Sequence, residues 1–203
     1  MLTELVCSIR EQKIKNNDLL GDKEIRHSLK IHLTKSSRAP RAVLEELRVH
    51  NGNAIADIVA IHNNNAHCYE IKSDKDSIER VQKQAQFYDL VFRKVTLVTT
   101  ARHLDRAILY TPAHWGIMVA KSWKGRVICS YVRPAGVSNR FDKQLALLTL
   151  WKSELTTIAE PISESSLAKL SRKRLTELLA ENFSRDWISK QISEQLLSRV
   201  LRT

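Results

Sequence analysis

Apolar and polar positions alternate most clearly in the middle of the chain. Two β-branched runs, Ala54-Ile55-Ala56-Asp57-Ile58-Val59-Ala60-Ile61 and Cys68-Tyr69-Glu70-Ile71-Lys72, flank His62-Asn63-Asn64-Asn65-Ala66-His67. Runs of this kind around a polar Asn cluster predict a β-hairpin. Upstream, residues 1–36 read as helical, with Asp22 as N-cap and Ile25, Leu29, Ile31 and Leu33 on the apolar face. After the break at Ser36-Ser37-Arg38-Ala39-Pro40, residues 41–49 predict a short strand or a helix end beside the hairpin. Downstream, Ser73-Asp74-Lys75-Asp76-Ser77 is dense in capping residues and announces a helix with Ile78, Val81, Ala85, Tyr88 and Val91 or Phe92 on one side. Residues 94–100 read as a strand, 102–110 as a helix stopped by Thr111-Pro112, and 115–120 and 125–132 as two strands closing the sheet. Beyond Pro134 the pattern is helical. One helix is expected over 145–155, one through Leu167 to Leu179, and a last one with the stripe Trp187, Ile188, Ile192, Leu196 and Val200. The order predicts an α/β protein with a mixed sheet, its core in residues 1–140 and a helical extension in 141–203.

Each buried run carries charge where a core strand should carry none. A two-residue turn at Asn64-Asn65 sets Asp57 opposite Lys72, and period-two alternation then puts Asp57, Glu70 and Lys72 on one face. A loop with an odd number of residues would separate them. Two carboxylates supply the hard oxygen ligands that Mg²⁺ takes, the Ile71 carbonyl is a further donor, and Lys72 is placed for a water or a phosphate oxygen. This face suits hydrolysis of a phosphodiester; a surface hairpin that happens to carry Asp, Glu and Lys is the bland alternative. A carboxylate from residues 41–49 can also reach it, and Glu46 is preferred to Glu45.

The net charge of +11 over 203 residues favours an anionic partner. The excess lies with the hairpin: residues 1–141 hold 23 Lys/Arg against 14 Asp/Glu, and 142–203 ten against eight. Cys7, Cys68 and Cys129 have no paired spacing, and no apolar run is long enough to span a bilayer. A cytoplasmic location and no membrane partner are therefore expected.

Asp57, Glu70, Lys72 and the trailing Gln84 and Tyr88 resemble the PD-(D/E)xK nuclease superfamily. The wider run is similar to a bacterial group of small stand-alone members through Asp22-Lys23-Glu24-Ile25-Arg26, Glu46-Leu47, Ala56-Asp57-Ile58, Tyr69-Glu70-Ile71-Lys72-Ser73-Asp74, Arg80, His103, Pro112 and Trp115-Gly116-Ile117. The resemblance covers roughly residues 20–120. It departs in having Ala56 where a proline commonly precedes the aspartate. It implies a restriction-endonuclease-like, four-stranded mixed sheet flanked by helices and a Mg²⁺- or Mn²⁺-dependent nuclease. Asp57 and Glu70 would then be metal ligands, Lys72 the catalytic lysine, Glu46 an additional acid from a preceding helix, and Gln84 and Tyr88 substrate contacts. DNA is the favoured substrate. An inactive, nuclease-like DNA-binding subunit of a larger complex is the alternative.

Several other features have plain structural readings. Tyr88 beside Phe87 and Phe92 suits a core, His62 and His67 suit loop positions, and Arg172-Lys173-Arg174 suits a solvated helix face. The terminal apolar stripe is expected to pack on the core, or to form a homodimer or protein contact, rather than to read DNA as a helix-turn-helix.

Overall fold

The computed structural model describes residues 19–162 and 167–202, so Cys7 and the start of the expected first helix lie outside the described residues. Helix α1 (Asp22–Thr34) begins after Gly21, not Asp22, because the Gly21 N–H donates to Glu24 Oε2 at 2.6 Å. Ile25, Leu29 and Leu33 recur at helical spacing and are buried, whereas Ile31 falls on the outer side at 40% exposure.

The sheet has six strands in chain order: β1 (Ala42–Val49), β2 (Ala54–Ile61), β3 (Ala66–Ile71), β4 (Lys94–Thr100), β5 (Gly116–Trp123) and β6 (Arg126–Arg133). β1, β2 and β3 are antiparallel neighbours, as are β5 and β6. β3, β4 and β5 run parallel. A parallel neighbour needs a crossover, supplied by α2 (Arg80–Val91) and then by a 3₁₀ turn leading into α3 (Leu104–Tyr110). The β5–β6 hairpin closes on Lys124 and Gly125, at φ 49° and 73°, the left-handed pair that a tight two-residue turn requires.

The expected four-stranded sheet is therefore two strands short. β1, which the sequence left open between strand and helix end, and β6, expected as a closing strand, are the two edges of the sheet. The sequence Leu44-Glu45-Glu46-Leu47-Arg48 is rich in helix formers, which kept the helix-end reading open. Pairing with β2 from Ala42↔Ile61 to Val49↔Ala54 overrides that local preference. The α/β class itself stands.

The two faces of the sheet are covered differently. On one, α1 packs over Ile58, Ala60, Tyr69, Ile71, Val98 and Met118. On the other lie α2 and four C-terminal helices: α4 (Lys143–Leu147), α5 (Lys152–Ala159), α6 (Arg172–Asn182) and α7 (Arg185–Leu201). The single helix expected over 145–155 is two, interrupted by the turn before Trp151. Asp142, Ser171 and Ser184 cap α4, α6 and α7 through their side-chain oxygens. Among the described residues no helix is long and apolar enough to cross a membrane.

Candidate functional site

β2 and β3 stay paired from Ile61↔Ala66 to Ile58↔Tyr69. The hairpin turn thus falls on Asn63-Asn64, where the His62 N–H donates to the Asn65 carbonyl at 2.9 Å, and the register slides by two residues from the expected one. Neither Asn63 nor Asn64 has the positive φ expected of it; that conformation occurs at His50 and Asn51 instead. A two-residue slide preserves parity, so Asp57 aligns with Glu70 rather than Lys72, on the same face.

Beyond Tyr69 the ladder gives way to a side chain. Asp57 Oδ2 accepts the Ile71 N–H at 2.8 Å. On its other edge the pairing of β2 with β1 skips Glu46 and Asp57, between Glu45↔Ile58 and Leu47↔Ala56. Glu46 has a left-handed φ of 54°. Ala56 and Val59, three apart, both join the core on the α2 side, so alternation breaks at Asp57. This kink turns the Asp57 carboxylate to the C-terminal end of β3.

Glu70 sits at that end with 1% exposure, and Lys72 has 6%. The Lys72 ammonium and Gln84 Nε2 both donate to Glu70 Oε1, the latter at 2.5 Å. Tyr88 OH donates to Glu70 Oε2 at 2.8 Å and also reaches the Ile55 carbonyl at 2.6 Å. Gln84 and Tyr88 lie one helical turn apart on α2, which is why both meet one carboxylate. Burial pushes the Glu70 carboxyl up to about 7; Lys72 opposes the rise and the Asp57 charge adds to it.

Asp57 is held from the opposite face of the sheet. Arg26 of α1 donates to the Asp57 carbonyl at 2.8 Å and lies 3.5 Å from Asp57 Oδ1. The same guanidinium binds Asp22 at 3.0 Å and Glu45 at 3.5 Å, and Lys30 also pairs with Glu45, at 2.5 Å. The carboxylate on β1 that joins this network is therefore Glu45. Glu46 is exposed and lines a separate surface cleft.

Asp57, Glu70, Ile71, Lys72, Gln84 and Tyr88 thus converge on the C-terminal end of β3, and Glu46 does not join them. Arg26 and Glu45 are the partners that sequence reasoning missed. Arg26 lay within the quoted Asp22-to-Arg26 run, one residue from the buried Ile25, which was the one available hint. The remaining histidines divide. His67 is buried, not in a loop, and bonds Thr96 Oγ1 at 2.9 Å. His114 pairs with the buried Asp89 at 2.9 Å, beside the Trp115 indole N–H at 2.7 Å.

Among the described residues no three or more His, Cys, Asp and Glu side chains cluster with metal-site spacing. Mg²⁺ asks for less, one or two carboxylates with waters and carbonyl oxygens. The buried Gln84 Oε1 has no hydrogen-bond partner, which leaves an oxygen donor beside Glu70. Two carboxylates whose charges oppose each other, with this orphaned oxygen, fit such an ion.

Fold and site together define an α/β protein with a buried Glu–Lys pair and a strand-edge aspartate. The model for the family described as Bacteriophage P4 protein cII matches residues 9–202, and the chain belongs to that family. Protein cII of Enterobacteria phage P4 is 27% identical over 183 residues, covering 90% of this chain and 69% of that protein. A solved structure of a protein of unknown function from Silicibacter pomeroyi aligns with TM-score 0.47 and 15% identity, over 73% of this chain and 97% of that one.

Proposed function

We propose that the chain is a divalent-metal-dependent nuclease of the PD-(D/E)xK type, acting on DNA. The observation that carries this is the convergence on Glu70 of Lys72, Gln84 and Tyr88, next to a strand kink that turns Asp57 to the C-terminal end of β3. A purely structural sheet gains little from a buried carboxylate and ammonium, because their desolvation costs about as much as their attraction returns. A site that must hold a cation and a phosphate has use for both.

In this reading Asp57 and Glu70 hold Mg²⁺ or Mn²⁺, with the Ile71 carbonyl and Gln84 Oε1 as further oxygens. When bound, the ion supplies a water of lowered pKa and positive charge for the phosphate. Tyr88 and Gln84 fix the orientation of Glu70 through their hydrogen bonds. Arg26 holds the Asp57 backbone in place. Lys72, whose ammonium lies against Glu70 at this end of β3, would hold the attacking water or a non-bridging phosphate oxygen. The surplus of basic residues holds the polyanion nearby.

The test is cleavage of plasmid, linear duplex, single-stranded DNA and RNA with Mg²⁺ or Mn²⁺, with Lys72→Ala alongside. The expected outcome is metal-dependent cleavage of DNA that Lys72→Ala lowers by about 10²–10³-fold. No cleavage of any substrate with either metal overturns the enzyme reading and leaves a DNA-binding subunit. Equal cleavage by Lys72→Ala overturns the site.

A further inference from the structure

A second feature lies at the same end of the sheet. A solvent-open cleft of about 500 Å³ runs between the β1–β2 corner and the C-terminal helices. One wall carries Glu46, Arg48 and Asn51; the other carries Trp151, Lys152, Arg172 and Arg199. Trp151 is 60% exposed, and the Arg199 guanidinium lies 4.2 Å from its ring centroid. A half-open indole beside basic groups offers a flat apolar face with a polar edge, on which a planar group can stack.

The charges are built in. Arg199 is fixed by Glu154 at 2.5 Å and by the Thr149 carbonyl at 3.1 Å. Arg172 is fixed by the Leu150 carbonyl at 3.0 Å and by Asn51 Oδ1 at 3.4 Å, which ties α6 to the β1–β2 corner. Lys152 Nζ reaches the Ala168 carbonyl at 3.0 Å. Against these and Arg48 stand Glu46, Glu45, which Lys30 and Arg26 already neutralise, and Glu154, which Arg199 does. The cleft is net positive with an aromatic platform in it.

Its position connects it to the site. The wall on β1 includes Glu46, which falls opposite Asp57 in the β1–β2 register. A chain lying in the cleft therefore runs along β1, the neighbour of the strand that carries Asp57.

We propose that this cleft binds an unpaired stretch of nucleic acid, a base stacking on the open face of Trp151 while Arg48 and Lys152 hold its phosphates and the internally bonded Arg172 and Arg199 add positive potential. Stacking on a wall-mounted indole requires a free base face, which a single strand or frayed end offers and an intact duplex conceals. The proposal rests on the nuclease reading for its purpose and makes the preferred substrate one with a single-stranded segment.

Binding is read without cleavage, by fluorescence anisotropy of a labelled single-stranded DNA 12-mer and the matching duplex in EDTA. The parent is expected to prefer the single strand. Trp151→Ala should weaken that binding on the order of 10-fold, Trp151→Phe by no more than about 3-fold, and duplex binding should change little. Lys152→Gln should lower the slope of log K against log salt by about 0.7 for the single strand. Melting temperatures of the variants within a few degrees of the parent show that the cleft remains folded; a variant that does not fold is replaced by Arg48→Gln, on the exposed strand, with the same salt-slope readout. Equal single-strand affinity of Trp151→Ala and parent, or a duplex preference indifferent to Trp151, overturns the proposal. Cleavage that fails while Trp151-dependent binding persists overturns the nuclease reading alone; binding indifferent to Trp151 with cleavage intact overturns the cleft alone.

Discussion

Glu70 and His67 sit three residues apart on one strand and are buried on opposite faces, and burial drives their protonation in opposite directions. Glu70 ordinarily loses its proton near 4.5 and in the fold holds it to about 7, chiefly because burial penalises its charge. A raised value means the folded state binds the proton more tightly. This contribution is fully present below pH 4.5 and is lost as pH rises through about 7, on the order of 3 kcal/mol in all. His67 ordinarily takes a proton near 6.5 and in the fold resists it to about 3, again through burial first, with Lys94 next. Its contribution is present above 6.5 and is lost as pH falls toward 3. In metal-free buffer the two slopes oppose each other between pH 4.5 and 6.5, so the parent's stability should be nearly flat there. In urea titrations from pH 4 to 8, Glu70→Gln should unmask a rise in stability with pH, and His67→Gln a fall. Parallel curves for parent and variants would refute both assignments. A bound divalent ion favours the ionised Glu70, so Mg²⁺ affinity should fall as pH drops below about 7.

Among the elements, β2 decides what reaches the site, and its kink at Asp57 is where sequence reading stopped being sufficient. Alternation put Glu70 and Lys72 together, and a register slide of two residues kept Asp57 beside them, but the break at Asp57 turns its carboxylate into the ladder against the Ile71 N–H. The helical face of Ile78, Val81, Ala85 and Tyr88 was equally legible, since all four are buried where the 3.6-residue period puts them. What could not be read was the competition at Asp57, whose carboxylate replaces a ladder bond to Ile71, and the choice between Glu45 and Glu46. Both are exposed, and only the salt bridge to Arg26, from an element some twenty residues earlier, identifies the one that joins the Asp57 network. Glu46 instead bears the strain of a left-handed φ of 54°. Asparagine tolerates that conformation without the charge. Glu46→Asn should therefore keep stability within about 1 kcal/mol of the parent and retain cleavage, whereas Glu46→Val should cost about 1–2 kcal/mol. Loss of cleavage in a stable Glu46→Asn protein would restore Glu46 to the chemistry and demand a rearranged β1.

Across the whole molecule, the expected division near residue 140 marks a change from sheet to helices without a break in the core. One apolar cluster runs from Val59, Cys68, Val95 and Leu97 of the sheet through Tyr88 of α2 to Leu147, Leu155, Leu179, Ile188 and Leu196 of the C-terminal helices. Polar links cross the same boundary. Ser189 Oγ donates to the Asn64 carbonyl at 3.0 Å, Arg41 pairs with Glu194 at 2.8 Å, and Arg93 pairs with Asp186 at 2.5 Å. The terminal stripe contributes to this packing, with Ile188, Ile192 and Leu196 buried. The helices also build the second wall of the Trp151 cleft, so its shape depends on the same packing. A chain ending at residue 141 should therefore lack a cooperative unfolding transition, because the sheet face beneath α7 would meet water. Leu196→Ala in the full chain is the gentler probe: it should cost about 2–5 kcal/mol and shift far-ultraviolet circular dichroism and the fluorescence of buried Trp115 together. Two separated transitions, with Trp115 unmoved by the change in α7, would show the helices to be a unit of their own.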